Sequence, residues 1–212
     1  MTNQVADAVL EHGPVSGELE TSQVLALKLS SENVVVSEAI TEAVSVIREK
    51  IELGRVSKLA VDEAGAVVGY LHNRLRPGVG EHAALVAIKS EADKEALLAL
   101  GKRLAMHIVA AEPTYLHSSQ VPLNIIDEET EKVLQDPSLN AKPEAAKQNI
   151  IKGKLNKYFS RHCLLNQEFA LGDLEGSDAK LSVSELLQQE SKRLGRPVQV
   201  SGFARLKIGC TQ

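Results

Sequence analysis

Four groups of residues in this chain are of types that could do chemistry. His162 stands beside Cys163, a base next to a nucleophile. Neighbours in sequence seldom point at one another, and no carboxylate follows at a spacing that would orient the imidazole, so thiol catalysis is not expected. Asp127-Glu128-Glu129-Thr130-Glu131 offers clustered carboxylates of the kind that hold hard cations. Acids gathered where a helix opens also suit the positive end of its dipole, and that solvated reading is preferred. Pro77-Gly78-Val79-Gly80-Glu81 is glycine-rich, but it lacks the lysine of a phosphate-binding loop and does not lead from a strand into a helix; it reads as a hairpin turn. His107 is different. At helical spacing it borders the Leu100 and Leu104 stripe, beside Arg103 and the small Ala99 and Ala110. Small side chains admit a second backbone, so His107 reads either as a contact residue or as a satisfied histidine at a helix–sheet boundary. These spacings predict no catalytic set, no metal site and no bound cofactor.

The elements that must position these residues follow from periodicity. Asn3 to His12 has helical composition and stops at Gly13-Pro14, and a weaker second helix is expected to run on towards Leu29. Ser37 is expected to cap a helix carrying Ile40, Ala43, Val44, Ile47 and Ile51 on one stripe. After Gly54 the pattern turns to alternation, which predicts strands at Val56 to Val61, Val67 to Leu75 and Ala83 to Ile88 in meander order. Their turns fall at Glu63-Ala64-Gly65 and at Pro77 to Gly80. Ala92 to Ala111 predicts a helix covered from two directions, with Leu97, Leu100, Leu104 and Ile108 on one side and Leu98, Ala105 and Val109 nearly opposite. Two further helices, Asp127 to Gln135 and Glu144 to Phe159, joined through Pro137 and Pro143, predict a projecting helical hairpin. A polar loop at Gly172 to Lys180, a helix from Ser182 to Leu194 and a strand from Val198 to Ile208 complete the chain. Without regular βαβ alternation the fold class is α+β, a small antiparallel sheet packed with helices plus a helical hairpin. The expected parts are an N-terminal helical part of the core at 1–53, an α+β subdomain at 54–126, the hairpin at 127–160 and a segment completing the core at 161–212.

Composition narrows the function classes. The 212 residues are 43% apolar, enough for a real core, and carry a net charge of -4. With 3% aromatic residues, no Trp and basic residues scattered among acids, the chain lacks the basic stripe and stacking rings of a nucleic-acid binder. No apolar run approaches the ~18 residues of a membrane helix, and Met1 to Gly13 lacks a basic leader. The chain reads as soluble and unsecreted. Cys163 and Cys210 alone suggest neither a disulfide framework nor zinc spacing.

Several segments resemble one family in order. Leu104-Ala105-Met106-His107-Ile108-Val109-Ala110-Ala111-Glu112-Pro113 resembles the helix of elongation factor Ts that ends in Met-His-Val-Ala-Ala before a proline. Val67 to His72 is similar to that family's strand ending Tyr-Ile-His, and Ala83 to Lys89 to its Gly-Val-Leu-Val strand with a lysine. Lys147 to Phe159 resembles its hairpin helix, Leu164 to Phe169 its Leu-X-X-Gln-X-Phe, Ser182 to Leu187 its Thr-Val-X-X-Leu-Leu helix, and Val200 to Gly209 its C-terminal strand, with Phe203, Arg205, Leu206 and Gly209 in place. The resemblance covers Ile47 to Gly209. It finds no counterpart for the family's N-terminal ubiquitin-associated-like domain or its Thr-Asp-Phe-Val motif. The long segment Asn73 to Glu81 and the run Ser90 to Leu104 are closer to organellar members.

The resemblance implies a guanine-nucleotide exchange factor of protein biosynthesis, not an enzyme, that binds elongation factor Tu and promotes GDP release. GDP, GTP and magnesium would belong to the partner, with no direct nucleic-acid or membrane contact. Carried over by position, the partner-binding residues are His107, Met106, Ala110 and Arg103 on one helix and His82 and Ala83 on the neighbouring hairpin. The helical hairpin is a candidate dimer contact. The organellar likeness implies a mitochondrial location, with bacterial cytoplasm or plastid as the alternative. The rival reading is a ribosome- or RNA-associated α+β module without exchange activity.

Overall fold

The computed structural model describes residues 1–13, 16–29, 34–61, 64–139, 142–170 and 181–209. The chain divides into two compact units, Met1–Val109 with Gln199–Gln212, and Ala110–Val198. Among the described residues there are seven α-helices and two small antiparallel sheets, an α+β architecture.

The first unit begins with α1 (Thr2–His12), whose Val5, Ala8 and Val9 recur at helical spacing and are buried. Its last carbonyls lack partners within the helix. Lys58 supplies them: Nζ donates to the carbonyl oxygens of Val9 at 3.1 Å, Leu10 at 2.7 Å and Gly13 at 3.4 Å. A cation there also faces the negative end of the helix dipole. Where a second helix was expected, the chain forms β1 (Gly17–Leu19) and then the short α2 (Thr21–Leu25). Gly17 sits at φ 123°, a conformation that glycine adopts freely and that breaks the helical run. α3 (Val36–Ile47) is preceded by Val35 at the capping position, not Ser37, whose carbonyl instead accepts from the Thr41 hydroxyl. Arg48 in left-handed conformation ends α3, so Ile51 falls outside the helix. β2 (Val56–Lys58) pairs with β1, Gly17 opposite Lys58 and Leu19 opposite Val56. The expected three-strand meander is therefore corrected: its first strand belongs to a separate sheet. Val5, Ala8, Val9, Leu19, Val24, Leu29 and Val36 form one buried cluster under these elements.

The larger sheet is β3 (Gly65–Arg76), β4 (Val79–Lys89) and β5 (Gln199–Lys207), in the order β3-β4-β5 and antiparallel throughout. Pro77 and Gly78 make the hairpin turn, Gly78 at φ 75° as a type II turn requires at its third residue. The register shifts between Arg74 and Arg76. Asn3 Nδ2 donates to the Pro77 carbonyl at 3.3 Å, tying α1 to this turn. On one face of the sheet, Val68 pairs with Val86 and Ala66 with Ile88. α4 (Lys94–Ala111) lies on that face, and Gly101 is the point of closest approach, since a Cβ there would collide with the Val68 side chain and meet Ile88 Cδ1 at 3.3 Å. The two-sided cover expected of α4 is corrected in part: Leu98 is 42% exposed, and Gly101 joins the buried side.

In the second unit, α5 (Leu123–Leu134) and α6 (Glu144–His162) form the helical hairpin, and α7 (Val183–Leu194) follows. α5 starts one turn earlier than expected, so Asp127 to Glu131 lie beyond its first turn and do not serve its positive end. α7 opens with a capping box. The Ser182 hydroxyl oxygen accepts from the Glu185 amide at 3.2 Å, and the Glu185 carboxylate accepts from the Ser182 amide at 2.8 Å. Gln167 is buried and donates to the carbonyls of Ala111 at 3.1 Å and Arg161 at 2.7 Å. Pro14, Glu63, Gly172 to Lys180 and Cys210 lie outside the described residues.

Candidate functional site

Arg103, Met106, His107 and Ala110 stand at i, i+3, i+4 and i+7 on α4, so helical geometry puts them on one stripe. That stripe is turned well away from Gly101, the residue that meets the sheet. Local sequence explains the arrangement. Asp93 Oδ2 accepts from the Ala96 amide at 3.0 Å and fixes where α4 starts. Leu97, Gly101, Leu104 and Ile108 then occupy the buried stripe, which orients everything opposite. Ala110 is exposed, Arg103 and Met106 are half-buried, and His107 is buried with 0% of its surface accessible. Along this stripe Ala110 alone is exposed, Met106 and Arg103 are half-buried with Arg103 Nη2 withdrawn from solvent, and His107 is wholly buried.

His82 and Ala83 are consecutive on β4 and so point to opposite faces of the sheet. His82 shares its face with His72, directly opposite on β3, and with Lys207, opposite on β5. The two imidazoles meet edge to face at 5.9 Å between centroids, and the Tyr70 hydroxyl lies 3.4 Å from His72 Nδ1. Ala83 faces the other way, between Leu71 and Leu206. The six positions named from the sequence thus separate into one helical stripe of four and two strand positions on opposite faces. The Tyr70-His72-His82 cluster was not singled out from the sequence. Its signal was present, because Tyr70 and His72 share a face by alternation, but finding His82 required the register.

The other chemical candidates resolve simply. Pro77 and Gly78 connect two strands of a hairpin, Val79 and Gly80 open β4, and the segment offers no helix terminus to a phosphate. Burial pushes the Cys163 thiol up, the reverse of what an activated nucleophile needs. His162 stacks on Tyr158 at 4.4 Å between centroids. Among the described residues no group of three or more His, Cys, Asp or Glu could hold a metal ion, and no helix is long and apolar enough to cross a membrane.

A family model described as "Elongation factor TS" matches residues 1–210. Three relatives, each named "Elongation factor Ts", illustrate the likeness. The protein of Orientia tsutsugamushi is 34% identical over 182 residues, 86% of this chain and 57% of its own length. That of Rhodospirillum rubrum is 32% identical over 170 residues, covering 80% and 53%, and that of Rhizobium etli (strain ATCC 51251) is 33% identical over 174 residues, covering 82% and 54%. The chain spans about half the length of the curated relatives it matches.

Proposed function

Because this chain belongs to the elongation factor Ts family, we propose that it is a guanine-nucleotide exchange factor of translation elongation, binding elongation factor Tu and promoting release of GDP. The observation that carries this reading is the family match over residues 1–210, which takes in both compact units. Exchange of this kind breaks no bond in the nucleotide; GDP, GTP and magnesium stay with the partner. The chain needs to bind the empty partner more tightly than the GDP-loaded one, and linkage makes the effect reciprocal: whatever factor it takes from GDP affinity, GDP takes from its own.

The α4 stripe is the proposed docking surface, with His82 and Ala83 on β4, which point to opposite faces of the sheet, and the C-terminal segment as separate proposed contacts. Ala110, without a bulky side chain, lets a partner backbone come close, while half-buried Met106 offers adaptable apolar area beside Arg103. His107 lies on the same stripe but is wholly buried. A mitochondrial location belongs to the same proposal, supported by the long Asn73 to Glu81 segment, and is tested by fractionating cells that express the tagged protein.

The functional test is stopped-flow release of fluorescent GDP from elongation factor Tu as the chain is titrated. Acceleration that saturates is expected. Ala110→Glu, which places a charge at the exposed position of the stripe, is expected to weaken the effect about tenfold or more, the equivalent of roughly 1.4 kcal/mol. Complex formation without acceleration would leave binding and remove exchange; the absence of any complex would sink the proposal.

A further inference from the structure

The helical hairpin of the second unit closes on half-buried apolar residues, Ile125, Ile126 and Val133 of α5 and Ile151, Leu155 and Phe159 of α6, and neither helix contains a fully buried residue. Beside that seam Glu129, Lys132 and Val133 of α5, with Asp136 and Leu139 just beyond its end, stand across from Ile150, Lys154, Lys157, Tyr158 and Arg161 of α6, the charged members mostly exposed. Between them lies a half-open cleft of about 370 Å³, within the range of about 300 to 1,000 Å³ that small-molecule sites occupy.

The charges in this cleft do not cancel. Glu129 is already engaged by Lys132. Asp136 accepts from the Ser138 amide at 2.9 Å, a bond that, with the nearby Lys154 and Lys142, holds its carboxyl below the usual range. The side chains of Lys154, Lys157 and Arg161 have no hydrogen-bond or ion-pair partner among the described residues and project from about 10 Å of one helix face. At the same end, the Tyr158 and His162 rings lie 4.4 Å apart and tilted by 32°, beside the cations. Cations in excess of the neighbouring acids, next to paired rings, recognise phosphate attached to a planar ring system.

We propose that the α5–α6 cleft binds a small phosphorylated ligand with an aromatic ring, of mononucleotide size, with Lys154, Lys157 and Arg161 on its phosphates and Tyr158 with His162 under its ring. This site belongs to the chain itself and does not depend on exchange activity.

The test uses the full chain alone, without elongation factor Tu. Intrinsic tyrosine fluorescence and heteronuclear NMR are followed while guanosine diphosphate, adenosine diphosphate or inorganic pyrophosphate is added at fixed ionic strength. Saturable binding of both nucleotides and weaker binding of pyrophosphate are expected, with shifts confined to α5 and α6. Lys154→Ala with Arg161→Ala, both exposed positions, should reduce nucleotide and pyrophosphate affinity at least tenfold. Tyr158→Leu should reduce nucleotide affinity towards that of pyrophosphate while leaving pyrophosphate unchanged. The proposal is overturned by non-saturating titrations up to 10 mM ligand, taken as roughly the limit of a specific site. It is overturned equally by binding that the double variant leaves intact, or by binding of an acidic peptide without the nucleotides. Circular dichroism of each variant separates loss of the site from loss of the fold.

Discussion

Single side chains in this fold do work that their own sequence neighbourhood does not announce. Lys58 looks like an ordinary polar position on a short strand, yet it closes the end of α1 through three carbonyls. Lys58→Met is expected to cost about 1 to 2 kcal/mol in urea unfolding, because charged donors to otherwise unmatched carbonyls are worth more than neutral ones. Gly101 makes the opposite point. Replacing a mid-helix glycine with alanine usually gains up to about 1 kcal/mol; here the added methyl meets Val68, so Gly101→Ala should instead lose about 1 to 2 kcal/mol by overpacking. Cys163, buried and with its thiol pushed up by burial, should resist iodoacetamide at pH 8 in the native chain and react once unfolded in urea, as followed by mass mapping of its peptide. Because its folded pKa lies above the unfolded one, the neutral thiol favours the native state, and that contribution is lost as pH rises through the folded value. Of the candidate site, the helical stripe was readable at this scale, since Arg103, Met106, His107 and Ala110 follow from spacing alone. The depth of His107 was not readable: burial depends on what covers a helix, and spacing reports only which residues share a face.

Elements were readable where their cause is local and obscure where it is distant. α7 carries its own instructions, Ser182 three residues before Glu185 and Gly195 in left-handed conformation at its end. Hydrogen bonds from the Ser182 amide and hydroxyl hold the Glu185 carboxyl below its usual range. Ser182→Ala should therefore destabilise the chain by about 1 kcal/mol at neutral pH. The lowered folded pKa means that the carboxylate's share is present above the unfolded value and disappears as pH falls through the folded one, so the gap between variant and parent should narrow in urea melts at low pH. The hairpin of β3 and β4 was equally legible, from alternation on both sides of Pro77-Gly78. β2 was not. Its partner is three residues long and lies some forty positions earlier, so nothing in the run Val56 to Val61 distinguishes a strand of the larger sheet from one of a separate pair. The start of α5 was missed for another reason: Leu123-Asn124-Ile125-Ile126 lies behind a proline without a capping signal, and the conspicuous acids that follow drew the boundary to themselves.

At the scale of the whole molecule, connectivity matters most. The first unit is discontinuous, built from residues 1–109 and a return at 199–212. β5 covers one side of β4 along nearly its full length, from His82 opposite Lys207 to Lys89 opposite Gln199. Removing residues 199–212 is expected to abolish the cooperative unfolding of the first unit, observed as loss of protection of the β4 amides in hydrogen exchange, whereas removal of 208–212 alone should leave it intact. That the last strand rejoins the sheet was readable from its alternation; that it takes the place beside β4 was not, because either edge of the hairpin would bury the same stripe. The position of β5 also bears on how the chain is made. During synthesis β4 leaves the ribosome about a hundred residues before its partner, a delay of roughly 5 to 20 s at ordinary translation speeds. Throughout that interval one side of an apolar strand has no mate, so the nascent chain offers a docking edge to chaperones, and to sister chains emerging from the same polysome, that the finished protein has closed.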